Sequence, residues 1–519
     1  MKDYLTSTVD LSQARDLLTA RLRNRESNFL AVLRNLVFDN GNSPYRRLLR
    51  WAGYDYARLE QSVGGSGIEA TLECLRDAGV FISVDEFKGK RPILRPGLTI
   101  EARGSDFDNP GFMGRGLAGR SSGTRSGGTR VLYDWRGLAE EAVNECVLHE
   151  IHGVAAAPLA LWLPAPPGVA GFRNLLMNLK FGRPPEHWFS HLRNDRVGPN
   201  LTHRLAFHYL CWTCALMGIR APAPEFTTLD EAVRVARWLA AGDVADGRRV
   251  LRTFTSSAVR VAQAALAEGL PVAGHLVFTG GEPLTEQRSE FIRAAGLDPV
   301  ARYSAAETGV IAGSCDRRGS CDDMHLYTDR FAVVTQPLVA DPEDPELKTL
   351  LFTGLSVNHG KVLLNTELGD LGRVEERPCG CVFGQLGMET RLSRVGSREK
   401  FTGEGVSILG SHLDRIVWNL VSGAGGSPND YQFREVTDSR GITSLWISVD
   451  PRVSIDADGF RRAVLDGLSA SGPAGPLTAQ LWEQGGTVRV VRERPEVTEG
   501  FKMVSVQRTC PQRHDPVGR

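Results

Sequence analysis

Ten consecutive residues, Ser121-Ser122-Gly123-Thr124-Arg125-Ser126-Gly127-Gly128-Thr129-Arg130, comprise eight Ser, Thr or Gly and two arginines. Glycines let backbone N–H groups converge on an anion, hydroxyls add donors, and a guanidinium can grip two oxygens at once. That is chemistry for phosphate, although the same composition also suits a solvated Gly/Ser surface loop. No Gly-Lys-Ser/Thr closes the run and no helical pattern begins there, which disfavours a P-loop. Val131-Leu132-Tyr133 follows at once and reads as a strand, so the loop is predicted to link two strands.

Three further segments place polar groups in apolar frames. Phe278-Thr279-Gly280-Gly281-Glu282-Pro283 ends a strand-like run in a Gly-rich turn where a planar ring can lie against backbone. Tyr303-Ser304-Ala305-Ala306-Glu307-Thr308-Gly309 sets an acid after small residues, and Asn365-Thr366-Glu367-Leu368-Gly369-Asp370 presents another carboxylate in a turn. Taken singly, each also reads as a turn with a solvated acid. Cysteine is the other reactive type. The count of nine is odd, which argues for thiols or metal ligands over a disulfide frame. Cys315, Cys321, His325 and Cys379-Gly380-Cys381 together offer the soft donors that tetrahedral zinc takes; the alternative is a set of ordinary thiols. Cys211-Trp212-Thr213-Cys214 has redox spacing, yet it sits in the apolar run Leu205 to Ile219, where both sulfurs would share a buried helix face.

The elements that must hold these groups follow from periodicity. Leu11 to Phe38 and Ser43 to Ala78 show helical spacing, the second broken at Gly53 and at Gly64-Gly65. From Val131 onward, amphipathic stretches such as Leu138 to Ile151 and Leu229 to Ala241 alternate with short apolar runs such as Leu159 to Leu163 and His275 to Phe278, the pattern of an α/β body. Near Arg394 the chain turns small and charged at Gly396-Ser397-Arg398-Glu399-Lys400, as a hinge does. Beyond it, strand-like Glu435 to Val449 and Thr487 to Arg492 flank helix-like Gly459 to Leu468, a small α+β domain. Lys plus Arg and Asp plus Glu are 61 each, so no global field recruits nucleic acid or an anionic membrane. Met1 to Arg15 lacks the apolar core of a signal peptide, and the uncharged run Gly153 to Gly171 carries four prolines, against a spanning helix; a cytoplasmic protein is expected.

In their order along the chain, these segments resemble the adenylate-forming superfamily, most closely its phenylacetate–coenzyme A ligase branch, from about Leu49 to Val506. The family's phosphate loop reads Ser-Ser-Gly-Thr-Thr-Gly-x-Pro-Thr; here Arg125, Ser126 and Gly128 replace the second Thr, the Gly and the Pro, and Thr129 fits this branch. The resemblance implies an α/β fold with a large multi-layered N-terminal adenylate-forming domain, residues 1–394, and a small α+β lid domain, residues 395–519, joined by a hinge at Arg398 or Glu399. It implies that Ser121, Ser122, Gly123, Thr124, Arg125, Thr129 and Arg130 hold the phosphates of ATP. Gly280, Gly281, Glu282 and Pro283 would line the adenine, with Tyr303 and Ser304 beside it, and Asp370 would hold the ribose. Glu307 takes the place of the family's Mg²⁺-binding glutamate. In Thr498-Glu499-Gly500-Phe501-Lys502, Phe501 stands where the family has glycine, and Lys502 becomes the adenylation lysine. By the same resemblance Cys315, His325, Cys379 and Cys381 hold a structural Zn²⁺, with Cys321 as the spare.

The implied reaction activates a small carboxylic acid to an acyl adenylate with release of pyrophosphate, then passes the acyl group to a thiol, coenzyme A foremost. Thr124, Glu307 and Lys502 would be the catalytic residues, with Phe278, Tyr303 and the segment around His208 near the acid. Two other readings stay open. One hands the acyl group to a separate carrier protein or an amine; the other, prompted by Arg125, Ser126, Ala306 and Phe501, is a catalytically weak member kept as a binding or regulatory protein.

Overall fold

The computed structural model describes residues 2–112, 117–120, 130–165, 169–191, 212–219, 221–242, 244, 247–336, 346–396, 400–403, 406–426, 430–471, 475–495 and 506–509. Outside them fall Ser121 to Thr129, His208, Cys211, Arg398, Glu399, Phe501 and Lys502, and the side chain of Arg130.

The chain opens in helices. Asp10 caps Leu11–Arg23 with a reciprocal Asp10/Gln13 box, and Asp55 caps Tyr56–Asp77. In that second helix Gly64 and Gly65 stay helical; the backbone breaks instead at Gly67, whose φ of +81° only glycine adopts readily. Strands β1 (Ile93–Arg95) and β2 (Leu98–Ile100) pair, as do β3 (Leu117–Arg120) and β4 (Arg130–Tyr133). The second pair borders the Ser/Thr/Gly/Arg run with strands on both sides, as expected.

A twelve-stranded sheet forms the body. Six of its strands, β5 (Leu159–Trp162), β6 (His187–Ser190), β7 (Pro224–Phe226), β8 (Val250–Phe254), β9 (Leu276–Gly280) and β10 (Asp298–Ala305), run parallel. Every residue of β5 and of β8 is buried; β5 accordingly reads as a continuous apolar run, while β8 carries Arg252 and Thr253 inside. The other six, β11 (Gly309–Gly313), β12 (Met324–Leu326), β13 (Phe331–Gln336), β14 (Lys348–Gly354), β15 (Thr366–Glu376) and β16 (Thr390–Gly396), pair antiparallel. The order across the sheet is β13-β14-β15-β16-β12-β11-β10-β9-β8-β5-β6-β7. Strand β10 joins the halves: its first part pairs with β9 and its last with β11, with a bulge at Tyr303/Ser304.

Helix Trp135–Ile151 corrects the amphipathic expectation, because it is buried nearly all round and carries Glu141, Asn144, Glu145 and His149 inside. Buried charges need partners, and these find them on the sheet, as described below.

After β16, strands β17 (Lys400–Gly403) and β18 (Val406–Leu409) pair, and a separate sheet follows in the order β21-β20-β19-β22 from β19 (Tyr431–Thr437), β20 (Thr443–Val449), β21 (Val488–Arg492) and β22 (Val506–Thr509). The expected strand from Glu435 to Val449 is thus a hairpin, folded by Asp438, whose carboxylate accepts from the backbone N–H of Arg440 and Ile442. Helices Gly410–Gly423, Ala457–Ser469 and Gly475–Gln484 cover this sheet around a core of their own, including Val417, Phe433, Ile447, Leu468 and Trp482. Among the described residues, no helix is long and apolar enough to cross a membrane.

Candidate active site and metal centre

Parallel strands leave a crevice beyond their carboxyl ends, where ligands bind in open α/β sheets. Strands β8 and β9 end in register at Phe254 and Gly280. The turn Gly280-Gly281-Glu282-Pro283 begins there, with Gly281 at φ +76° and a Cβ on Gly280 only 3.3 Å from the Arg302 carbonyl. The Glu282 carboxylate is buried and engaged: Ser256 Oγ donates to it at 2.7 Å and Arg288 at 3.0 Å.

Tyr303 and Asp370 meet at the same end. The Tyr303 hydroxyl donates to Asp370 Oδ2 at 2.7 Å, although their strands, β10 and β15, stand four positions apart in the sheet. Flat, four spacings would separate them by about 19 Å. The sheet therefore curls past the β10 bulge, which brings the two polar tips together beside the carboxyl end of β9. Burial, reinforced by the Asp370 carboxylate, raises the Tyr303 hydroxyl well above its ordinary pKa, so it stays a donor.

Glu307 sits half-buried in the turn between β10 and β11, and that turn is braced from beneath. Gly309, at φ +87°, packs so closely that a Cβ would lie 2.5 Å from Glu141 Oε1 and 2.6 Å from Arg173 Nη2. Glu141 accepts from the Val310 N–H and from Arg173 Nε at 3.1 Å. One helical turn on, Glu145 holds β8 and β10 together by pairing with Arg252 at 2.5 Å and Arg302 at 2.9 Å. Breaking such a buried pair costs about 3–5 kcal/mol. Sequence reasoning missed Glu141, Arg173 and Glu145. The signal available was a helix with both acids and apolar residues on every face, since such a helix must be buried against partner cations.

The cysteine cluster is a compact donor set. The side-chain donor atoms of Cys315, His325, Cys379 and Cys381 all lie within 4.8 Å of one another. Cys315 Sγ and Cys379 Sγ are 3.8 Å apart, and Cys381 Sγ is 3.1 Å from His325 Nε2. A disulfide would need about 2.05 Å, whereas zinc with bonds of about 2.3 Å to sulfur sets two sulfurs about 3.8 Å apart at a tetrahedron's corners. His325 Nδ1 donates to the Met388 carbonyl at 2.6 Å, which turns Nε2 toward Cys381 Sγ and Arg391 as the nitrogen that could ligate a metal. Hydrogen bonding from the Cys381 thiol, with His325 beside it, holds the Cys315 thiol well below its ordinary pKa. Arg391, fixed by Asp323 at 2.7 and 2.8 Å, approaches Cys315 Sγ at 3.7 Å and touches His325. Its charge would offset the net negative charge of three thiolates around a divalent ion. Cys321 lies elsewhere, donating to the Leu284 carbonyl at 2.9 Å, so Cys315 and not Cys321 completes the set. Of the Cys-x-x-Cys pair, Cys214 is buried.

No protein-family profile matches the sequence, and no curated protein matches it. Solved structures do match, and they assign the fold: a mixed α/β body with a large sheet and a C-terminal domain, as in adenylate-forming enzymes. One is 2-hydroxyisobutyryl-CoA ligase in complex with 2-HIB-AMP and CoA in the thioesterification state, with a TM-score of 0.56 and 16% identity over 94% of this chain and 89% of that one. Also matched are o-succinylbenzoate CoA synthetase from Bacillus subtilis, at a TM-score of 0.44 and 10% identity over 75% of this chain and 68% of that one, and an amide bond synthetase from Marinactinospora thermotolerans, at 0.41 and 12% over 93% of each.

Proposed function

We propose that this chain is an ATP-dependent carboxylate ligase of the phenylacetate–CoA ligase type. It joins a small carboxylic acid to the α-phosphate of ATP, releases pyrophosphate, and passes the acyl group to a thiol, with coenzyme A as the acceptor. The Tyr303–Asp370 contact carries the reading. It brings Asp370 of β15 to Tyr303 of β10, next to the Gly280–Pro283 turn and four residues before Glu307, which supports one site in which these groups would take ribose, adenine and a phosphate-bound cation.

A carboxylate approaching the α-phosphate brings two anions together, so catalysis is mainly positioning and offset of repulsion. Glu307 would hold Mg²⁺, which shields phosphate charge when bound. Donors from Ser121 to Arg130, including the Thr124 and Thr129 hydroxyls, would cradle the phosphates, and the Lys502 ammonium would face the reacting carboxylate. The small domain, taken from residue 395, would turn about Arg398 or Glu399 and withdraw Lys502, opening the same acyl carbon to the thiol. Cys315, His325, Cys379 and Cys381 would hold zinc between the Glu307 and Asp370 segments and fix their separation.

The divergent loop supplies the test. Thr129 contributes only a hydroxyl, so Arg125 or Arg130 must provide the cationic grip on the phosphates. In acid-dependent ATP–pyrophosphate exchange, Arg125→Ala or Arg130→Ala is expected to raise the KM for ATP about tenfold, ~1.4 kcal/mol. If both variants exchange with wild-type KM, the loop's arginines do not hold ATP.

A further inference from the structure

The tip of the β19–β20 hairpin is not solvated as hairpin tips usually are. Its Ile442 is 8% exposed and belongs to the apolar core of the large domain, across from the small domain's own core. Gly441, at φ +81°, lies flush on Arg288: a Cβ there would stand 2.3 Å from Arg288 Cγ and 3.0 Å from its Cα. Arg288 itself is 3% exposed and spends its donors on both sides of this contact. Toward the large domain it pairs with Glu282 at 3.0 Å and donates to the Pro283 carbonyl at 3.1 Å. Toward the hairpin it donates to the Gly441 carbonyl, and to Thr443 Oγ1 at 2.8 Å. Thr285 caps the helix Glu286–Ala294 by accepting from the Arg288 N–H, which fixes where the side chain starts. A second, smaller touch, from Arg260 to the Gly485 carbonyl at 3.1 Å, lies on the same side of the small domain.

From this juxtaposition we infer that Arg288 is a positioning residue that couples the small domain's orientation to the Gly280–Pro283 turn. When the hairpin docks, Arg288 makes four hydrogen bonds, two to the hairpin and two to the Gly280–Pro283 turn, and clamps Glu282, and through it the turn. When the small domain turns away, the guanidinium loses the Gly441 carbonyl and Thr443 Oγ1 as acceptors, and the clamp on the turn loosens. The ligase reading enters at one point only, because it supplies the two half-reactions between which the domain turns. The docked orientation shown here can serve one of them.

Two measurements test this in the full-length protein. Gly441→Val obstructs docking without touching the crevice. Hydrogen exchange followed by mass spectrometry should then show faster exchange over residues 282–294 and 438–443, with the small-domain helix Ala457–Ser469 unchanged. Arg288→Met should accelerate the same segments, Arg288→Lys should restore part of the protection, and adding Arg288→Met to Gly441→Val should give little further change. In single-turnover assays Gly441→Val should slow one half-reaction about tenfold and the other by less than about threefold. Unchanged exchange over 282–294 in Gly441→Val, or equal loss in both half-reactions, would overturn the coupling. If wild-type protein activates no acid, the ligase reading has failed, and hydrogen exchange still judges the docking contact by itself.

Discussion

Replacing Lys502 by Ala is expected to cut acyl-adenylate formation by about two orders of magnitude or more, the usual loss when one charged transition-state contact is removed. The reason is local, because a chain with 61 basic and 61 acidic residues has no net field to offset two approaching anions. A single ammonium in a site that excludes water does that work far better than one in bulk solvent. The same variant should accept supplied acyl adenylate and transfer its acyl group at close to the wild-type rate, since the proposed domain turn takes Lys502 away before the thiol attacks. Rapid-quench assays of each half-reaction read the split directly. Equal losses in both would show Lys502 to be structural.

Metal analysis is expected to find about one zinc per chain, and Cys379→Ser or Cys381→Ser to lower stability by several kcal/mol, since metal binding free energy is folding free energy. Cys315 follows β11, His325 lies in β12, and Cys379 and Cys381 lie in the connection between β15 and β16, so a metal there would link the strands that follow Glu307 to the one that carries Asp370. Gly384 shows how tight that connection is, because a Cβ there would lie 1.8 Å from the Cys379 carbonyl. Urea melts should reveal the loss, and activity should fall with folding. Cys321→Ser should retain the metal, because Cys321 points to Leu284. As the ligand thiolates must be deprotonated, metal retention should fall as pH falls. Metal-free protein with full stability and activity would refute the centre.

Much of this was legible in residue order. The strands bordering the Ser/Thr/Gly/Arg run and the Gly280–Gly281 turn follow from local patterns that local forces decide, whereas the donor set of Cys315, His325, Cys379 and Cys381 comes from the family resemblance and is gathered from distant segments. What stayed hidden depends on contacts far apart in sequence. Helix Trp135–Ile151 looked amphipathic because acids normally mark a solvated face; here Glu141 and Glu145 are satisfied by Arg173, Arg252 and Arg302 from other elements. Glu282 read as a turn acid, and only Ser256 and Arg288 show why it is buried. Gly441 gave no sign of its role, since a hairpin glycine needs no partner and this one has Arg288.

Isotope exchange between pyrophosphate and ATP reports directly whether the proposed site forms acyl adenylates. Wild-type protein with Mg²⁺ should catalyse exchange only when a suitable carboxylic acid from an aromatic and aliphatic panel is added, and Asp370→Ala should weaken it through the KM for ATP. Exchange absent with every acid, while ATP still binds, would rule out acyl-adenylate formation and leave a nucleotide-binding protein without ligase activity.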